Sequence, residues 1–289
     1  MKPARFEYVK AVSVADAVAV LAEHGGDARV LAGGQSLVPM LSMRLLRPSA
    51  VVDVNGLQDE LGQVELRGGE LVVGALVRYS QIEGSPVVAE HAPLLQHVVG
   101  HIGDRQVRNR GTLGGAIAHA DPTGEMAVAS LALGARVHAQ GPGGERTIAI
   151  EDFFLGSYWT ALAPDELVTA IAFPLRPTRF GFFERGRRHN DFAVLSVAVV
   201  ARPDADGTWH GVRIALGGVN DRPVLAVAAA QELEARAWDV DLISRASRRA
   251  LEATEPPDDV RATAEYRSHL VPIHVRRVLT GLAEAVGHG

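Results

Sequence analysis

The chain has 289 residues, 47% apolar and 22% charged, with a formal net charge of −5 and no cysteine. This is ordinary soluble globular composition, sized for about two or three domains, and its interspersed charges make no basic face of the kind nucleic acid requires. Without cysteine there can be no disulfide, thiolate nucleophile, cysteine-ligated zinc or all-cysteine iron–sulfur cluster; a redox role must rest on a bound organic cofactor or on histidine and carboxylate metal sites.

The first residues, Met1 to Tyr8, lack the apolar core of a signal peptide. The longest apolar runs, such as Ala193 to Ala201, are roughly half a membrane span. The expectation is a cytoplasmic protein with no membrane span. Phe6 to Lys10 reads as a strand. Ser13 then caps a helix, with Asp16 at the capping-box position, and Val14, Ala17, Val18, Leu21 and Ala22 form its apolar face. Arg29 to Ala32 is a short strand, Gly33-Gly34-Gln35-Ser36 leads into a helix over Leu37 to Leu46, and Ala50 to Val54 is a third strand closed by Asn55-Gly56. The opening block is therefore β-α-β-α-β.

A second block starts with strands Gln63 to Arg67 and Glu70 to Gly74, joined by the hairpin signal Gly68-Gly69. Val87 to Val99 reads as one helix. A glycine-rich stretch, Arg110 to Gly115, precedes a helix over Glu125 to Leu133 that should be packed on both sides, and Arg136 to Ala139 and Thr147 to Ile150 read as strands. Two prolines within Pro174 to Pro177 mark a boundary. The third block has strands Phe180 to Glu184, Ala193 to Ala201 and Gly211 to Leu216, with a turn at Asp204 to Gly207. It then turns helical from Val224 to about Ala253. After Pro256-Pro257, a last helical stretch runs from Ala264 to Val286, its apolar stripe formed by Val271, Val275, Val278 and Leu282; Pro272 should kink it or start a new helix.

Two glycine motifs carry the chemistry. Ala32-Gly33-Gly34-Gln35-Ser36-Leu37 lies between a strand and a helix, where adjacent glycines admit a close backbone approach and a helix start suits a phosphate. Read alone, it is first of all a tight turn with a serine cap, as strand–Gly–helix turns are common in α/β domains. It is neither a dinucleotide fingerprint, lacking G-x-G-x-x-G, nor a P-loop, lacking the Gly-Lys-Ser/Thr end. Gly111-Thr112-Leu113-Gly114-Gly115 follows arginines 108 and 110 and could wrap a pyrophosphate and ribityl chain, or be a structural loop at a domain interface. Together the motifs suit a long, two-headed ligand such as FAD, gripped between subdomains.

The pair Ala-Gly-Gly-Gln-Ser at 32–36 and Thr-Leu-Gly-Gly at 112–115, the latter followed by Ala118-His119-Ala120-Asp121-Pro122, resembles the FAD-binding subunits of molybdenum hydroxylases. Gln106 to Gly111, Asn190-Asp191-Phe192-Ala193, Gly217 to Pro223 and Ala264 to Arg267 extend the likeness over nearly the whole chain. The resemblance implies an α+β protein. A two-part FAD-binding domain related to vanillyl-alcohol oxidase would occupy residues 1–176, divided at about 56/57. A C-terminal domain of a three-stranded antiparallel sheet and a helical bundle would occupy 177–289. It implies FAD held without a covalent link, with 32–36 at the pyrophosphate, 111–115 along the pyrophosphate and ribityl chain, Glu125 at the nucleotide, and Asp191 and Phe192 near the isoalloxazine ring. Leu37, His101 and Val168 join that cofactor-binding set, His101 as a cofactor-side or interface residue. The chain departs from the family at Ala116, where Asn is common, at Arg105, which replaces a frequent Pro, and at Glu184-Arg185, where some relatives place a flavin-facing Lys.

His97 and His101 at i, i+4 could present two imidazoles to a metal, but no third ligand has supporting spacing, and no metal site is expected. His119 beside Asp121 reads as loop structure, and there is no G-x-S-x-G elbow; no catalytic residue is assigned. The resemblance implies a subunit that passes electrons from a partner's iron–sulfur clusters through FAD to an external acceptor. Its partners would be a small iron–sulfur subunit and a large molybdopterin subunit, in a dimer of heterotrimers. The alternative is a self-sufficient flavin oxidase or dehydrogenase, which would need a base or tyrosine beside the ring.

Overall fold

A computed structural model describes residues 2–176, 178–188 and 190–287. Pro177, at the expected domain boundary, lies outside the described residues. The opening β-α-β-α-β block folds into a three-stranded parallel sheet in which Ala50–Asp53 lies between Glu7–Lys10 and Ala28–Leu31. Ser13 caps helix Val14–Glu23 by accepting from the Asp16 amide, and the Asp16 carboxylate accepts from Val12 N–H rather than from Ser13. Val14, Ala17, Val18 and Leu21 are buried. Ala22 is exposed, because at 100° per residue it falls on the far edge of the stripe. The second helix, Leu37–Ser42, stops four residues short of the expected end.

The second sheet is antiparallel, in the order Val64–Arg67, Glu70–Gly74, Leu167–Pro174, Arg136–Gly141, Gly144–Ala149. Its central strand, Leu167–Pro174, escapes the sequence reading. The run is almost uniformly apolar, with a register shift between Val168 and Ala170, so it lacks the period-2 alternation that marks a half-buried strand. Val87 to Val99 is two helices, Pro86–His91 and Pro93–Val99. Pro93 disfavours helical dihedrals at Ala92, which sits at φ −145°. The 111–115 stretch is the capped start of helix Leu113–His119 rather than a wrapping loop.

The third sheet joins Arg179–Arg185, Leu195–Pro203 and Thr208–Gly217 antiparallel, extended by the two-residue strands Val224–Leu225 and Arg236–Ala237. The expected helical run from Val224 is therefore interrupted: helices Val227–Leu233 and Val240–Arg249 flank the second of these short strands. Both faces of this sheet are covered. Ala198, Val200 and Ala215 pack with helix Glu125–Leu133 and the second sheet, while Val197, Val199, Ile214 and Leu216 pack on Val271, Val275 and Leu279 of the last helix. Helix Glu125–Leu133 is accordingly buried continuously from Met126 to Ala132. Helix Ala264–Gly287 runs through Pro272 without division, since burial of its apolar stripe outweighs one missing backbone donor.

Arg267 ties this half together. Only 1% exposed, it donates from Nη1 to the carbonyls of Val194 (2.6 Å) and Gly218 (2.5 Å) and from Nη2 to Asp259 (2.8 Å). Arg267→Met would leave two buried carbonyls without donors and should cost roughly 3 kcal/mol or more. The expected result in a thermal melt is a Tm lower by roughly 6–12 °C; an unchanged Tm would refute this role.

Candidate functional site

The turn after strand Ala28–Leu31 and the start of helix Leu113–His119 meet edge to edge. A Cβ on Gly33 would lie 2.3 Å from the Arg110 carbonyl oxygen and 2.9 Å from Gly111 Cα, so only glycine permits this approach. The 110–114 segment in turn lies along 75–79: Tyr79 N–H donates to Gly111 O, Leu113 N–H to Val77 O and Gly114 N–H to Ala75 O. A Cβ on Gly114 would meet Ala75 Cβ at 2.4 Å, and one on Gly111 the Tyr79 ring at 2.6 Å. Three of the motif glycines are thus required by contact of the protein with itself. Gly34 is required by its dihedral, φ +73°.

Asn55, read from the sequence only as the close of a strand, and Arg78, which no sequence signal singled out, brace this junction. Asn55 Nδ2 donates to the carbonyls of Ala32 (2.8 Å) and Leu31 (3.3 Å). Arg78 Nη2 donates to Asn55 Oδ1 at 2.6 Å, and Nη1 to the Arg110 carbonyl. A guanidinium fork is one of the few groups able to hold both acceptors at once. Thr112, 2% exposed, accepts from Gly115 N–H at 3.1 Å and so caps the second helix.

Above this junction opens a cleft of about 690 Å³. Ala32, Gly33, Gly34, Gln35, Ser36 and Leu37 line it from the first subdomain. Gly111, Thr112, Gly114, Gly115, Glu125 and Val168 line it from the second, and Asp191 and Phe192 from the C-terminal part. The other two residues of the sequence-derived set lie elsewhere. Leu113 is fully buried in the core, because the helix it opens turns that position inward. His101 lies beyond the end of helix Pro93–Val99, its ring 5.0 Å from Phe182 and 5.4 Å from His97. Among the described residues no group of three or more metal-ligating side chains converges.

The cleft has distinct chemical zones. At the glycine turn, Ser36 makes no side-chain cap for the following helix, where Val38 N–H donates to the Gly34 carbonyl. Glu125, in the first turn of its helix, faces the cleft, and burial, the Glu184 carboxylate and Asp121 push its pKa up to about 8. Burial pushes Glu184 up to about 7. At the outer end stand two exposed aromatics, Phe192 and Tyr158. Arg261 lies 4.6 Å over the Phe192 ring, and His119 lies 5.0 Å from Tyr158. Burial lowers the His119 pKa, against the pull of Asp121, so this imidazole favours its neutral form. A long ligand with an anionic middle and planar ends fits this sequence of surfaces. The outer tyrosine sits in a two-strand hairpin, Phe154–Gly156 with Trp159–Thr160, too short to have shown a strand period.

Residues 4–176 match the family described as the FAD-binding domain in molybdopterin dehydrogenase, and residues 182–282 match the carbon monoxide dehydrogenase flavoprotein C-terminal domain. The chain is 37% identical to the nicotine 6-hydroxylase medium subunit of Paenarthrobacter nicotinovorans, covering 96% of this chain and 98% of that one. It is 35% identical to the carbon monoxide dehydrogenase medium chain of Hydrogenophaga pseudoflava, covering 96% and 97%. The solved structure of carbon monoxide dehydrogenase from Hydrogenophaga pseudoflava superposes with a TM-score of 0.95 at 37% identity, over 99% of each chain.

The self-contact of the glycines makes a prediction that needs no ligand. Gly33→Ala should lower Tm by several degrees, as overpacking of this kind typically costs roughly 1–3 kcal/mol. Gly281→Ala, in the last helix with nothing within 4 Å of the added Cβ, should leave Tm unchanged or raise it. Equal behaviour of the two variants in thermal melts would refute the contact.

Proposed function

The chain belongs to the family of FAD-binding medium subunits of molybdenum hydroxylases, and on that premise we propose that the cleft between the glycine turn and the Thr112-capped helix holds FAD without a covalent link. The protein is an oxidoreductase subunit: the flavin component of a molybdenum-dependent dehydrogenase or hydroxylase. One observation carries the cofactor assignment. A single cleft gathers both glycine motifs, Glu125, Val168 and the Asp191-Phe192 pair from three separate parts of the chain.

Bound FAD supplies electron transfer in single or paired steps; the chain supplies position and field. Gly33, Gly34, Gln35 and Ser36 would hold the pyrophosphate, with Gly115 and Thr112 beside it and along the ribityl chain. Gly111, Gly114 and Leu113 would act through packing, by fixing that helix start in place. Glu125 would face the nucleotide, and Asp191 and Phe192 the isoalloxazine ring. The division into an FAD-binding domain at 1–176 and a C-terminal domain at 177–289 is supported by the two family matches, and a split of the first near 56/57 by the separate parallel and antiparallel sheets.

The relatives are medium subunits of complexes with larger and smaller partners. For this chain the small partner would carry iron–sulfur clusters and the large one the molybdopterin, in a cytoplasmic dimer of heterotrimers. With no cysteine, the chain has no ligands for cysteine-bound clusters of its own, so clusters that feed the flavin would belong to a neighbour. The substrate is chosen elsewhere: medium subunits of a nicotine hydroxylase and of a carbon monoxide dehydrogenase resemble this chain equally well, although an N-heteroaromatic and a diatomic gas share no recognition chemistry. Among the described residues no helix is long and apolar enough to cross a membrane.

The purified chain should bind one FAD, with flavin absorbance released into solution on denaturation. Colour retained by the denatured chain would refute the non-covalent assignment, and failure to bind FAD on reconstitution would refute the site. Co-expressed with its partners, the chain should show substrate-driven bleaching of flavin absorbance that the chain alone does not. Turnover of a substrate by the lone chain at ordinary enzyme rates would establish the self-sufficient alternative.

A further inference from the structure

The wall between the cleft and the third sheet contains acidic groups that the electron-carrying role does not use. Glu125 opens helix Glu125–Leu133 and lines the cleft. One turn further on, Val128 packs directly over Gly217: a Cβ on that glycine would lie 2.5 Å from Val128 Cγ2 and 2.5 Å from Ser196 Oγ. Gly217 pairs with Ser196, and Ser196 pairs with Glu184 on the next strand. Successive pairing puts Glu184, Ser196 and Gly217 in one row across the sheet, on the face that receives this helix. Ser196 is fully buried. Among the described residues neither its Oγ nor Glu184 Oε2 has a hydrogen-bond partner.

The charges that act on Glu125 are acidic. Among the described residues Glu184 and Asp121 both act on Glu125, the Tyr79 phenol is kept neutral by burial and Glu125, which push its ionisation far upward, and the imidazoles of His97 and His101 lie beside Phe182 on the face of the strand that carries Glu184. The backbone at the helix start favours the Glu125 carboxylate but does not offset burial. An ionised buried carboxylate with an unpartnered oxygen is strongly disfavoured, and two carboxylates sharing such a site do not both ionise near neutrality. Burial and the neighbouring carboxylates push Glu125 up to about 8, and burial pushes Glu184 up to about 7. A neutral carboxyl also gains a donor, where a carboxylate only accepts.

We propose that Glu125 and Glu184 hold one proton between them, and that the cleft takes FAD with this proton in place, so that cofactor binding is linked to proton uptake. The inference rests on the FAD reading above. FAD carries an anionic pyrophosphate; a Glu125 carboxylate on the cleft lining with the Glu184 carboxylate behind it would repel it, whereas a pair that has taken up a proton presents one negative charge fewer and one donor more. In the FAD-free chain the pair loses its proton as pH rises toward and past about 8, and each FAD bound above that pH must bring a proton back.

The test is FAD titration of the purified, deflavinated chain between about pH 6 and pH 9.5, by flavin fluorescence and by calorimetry in two buffers of different ionisation enthalpy. Kd should be level near pH 6 and weaken about three- to tenfold for each pH unit above about 8, with net proton uptake in the same range. Glu125→Gln and Glu184→Gln should each bind FAD with a flatter pH profile and less proton uptake. A second readout needs no FAD. Because the folded pKa values are raised above the unfolded carboxylate value, the pair's contribution to stability is intact below about pH 4.5 and is lost as pH rises through about 7 to 8. The Tm of the FAD-free chain should fall across that window, and either Gln variant should flatten the fall. FAD binding with no pH dependence and no proton uptake would overturn this inference and leave the FAD site standing. Failure to bind FAD at any pH, with the Tm profile as described, would instead overturn the FAD reading.

Discussion

The structure of the site depends on one close approach, the glycine turn at 33–34 laid against the Arg110 carbonyl. Everything that forms the cleft is referred to that contact. It sets the parallel β-α-β unit against the antiparallel second sheet, and it brings one helix start, at Ser36, beside another, at Thr112. The Asn55–Arg78 brace holds it with hydrogen bonds to the carbonyls of Ala32, Leu31 and Arg110. The carbonyls of Ala32 and Arg110 are backbone acceptors at the junction that this brace supplies with donors. The cleft is open above this seam because the seam itself is closed.

This changes the meaning of the glycines. Glycine-rich turns beside a phosphate are usually explained by the room they leave for the ligand. Here Gly33, Gly111 and Gly114 leave room for the chain itself, and Gly34 supplies a left-handed dihedral. A ligand held in the cleft would meet the exposed edge of the turn at Gln35 and Ser36, and Gly115. Such an arrangement is rigid before any ligand arrives, so little ordering entropy is lost on binding.

The C-terminal sheet has two functions. One face packs on the last helix and forms a core of its own; the other closes the FAD-binding half over helix Glu125–Leu133. Because that helix is buried on all sides, its first residue is carried into the cleft wall, and Glu125 comes to face Glu184 of a strand 59 positions away in sequence. Arg267 fixes the same corner from behind by binding the carbonyls of Val194 and Gly218. The outer end of the cleft also takes Phe192 and the overlying Arg261 from this half. The C-terminal part is thus a wall of the site as well as a support for it.

Family, fold class and the two glycine motifs were legible in the sequence, because they rest on local patterns: a strand–glycine–helix order, a Ser13 cap, alternating strands joined by Gly68-Gly69, and an apolar stripe at helical spacing. The zero cysteine count was equally decisive, since it bounds redox chemistry without any structure. What the sequence could not show is set by contacts distant along the chain. The central strand Leu167–Pro174 is buried on both sides and bulged, so its period is erased. Leu113 looked like part of a ligand loop because its helix start, capped by Thr112, turns it inward only in three dimensions. Arg78 and Asn55 carry no motif, being specified by the carbonyls they meet. The Glu125–Glu184 pairing exists only after the third sheet has packed on its helix. Local hydrogen bonding and periodicity are written in neighbouring residues; the cleft, its brace and its charge are properties of surfaces that meet only when the chain has folded.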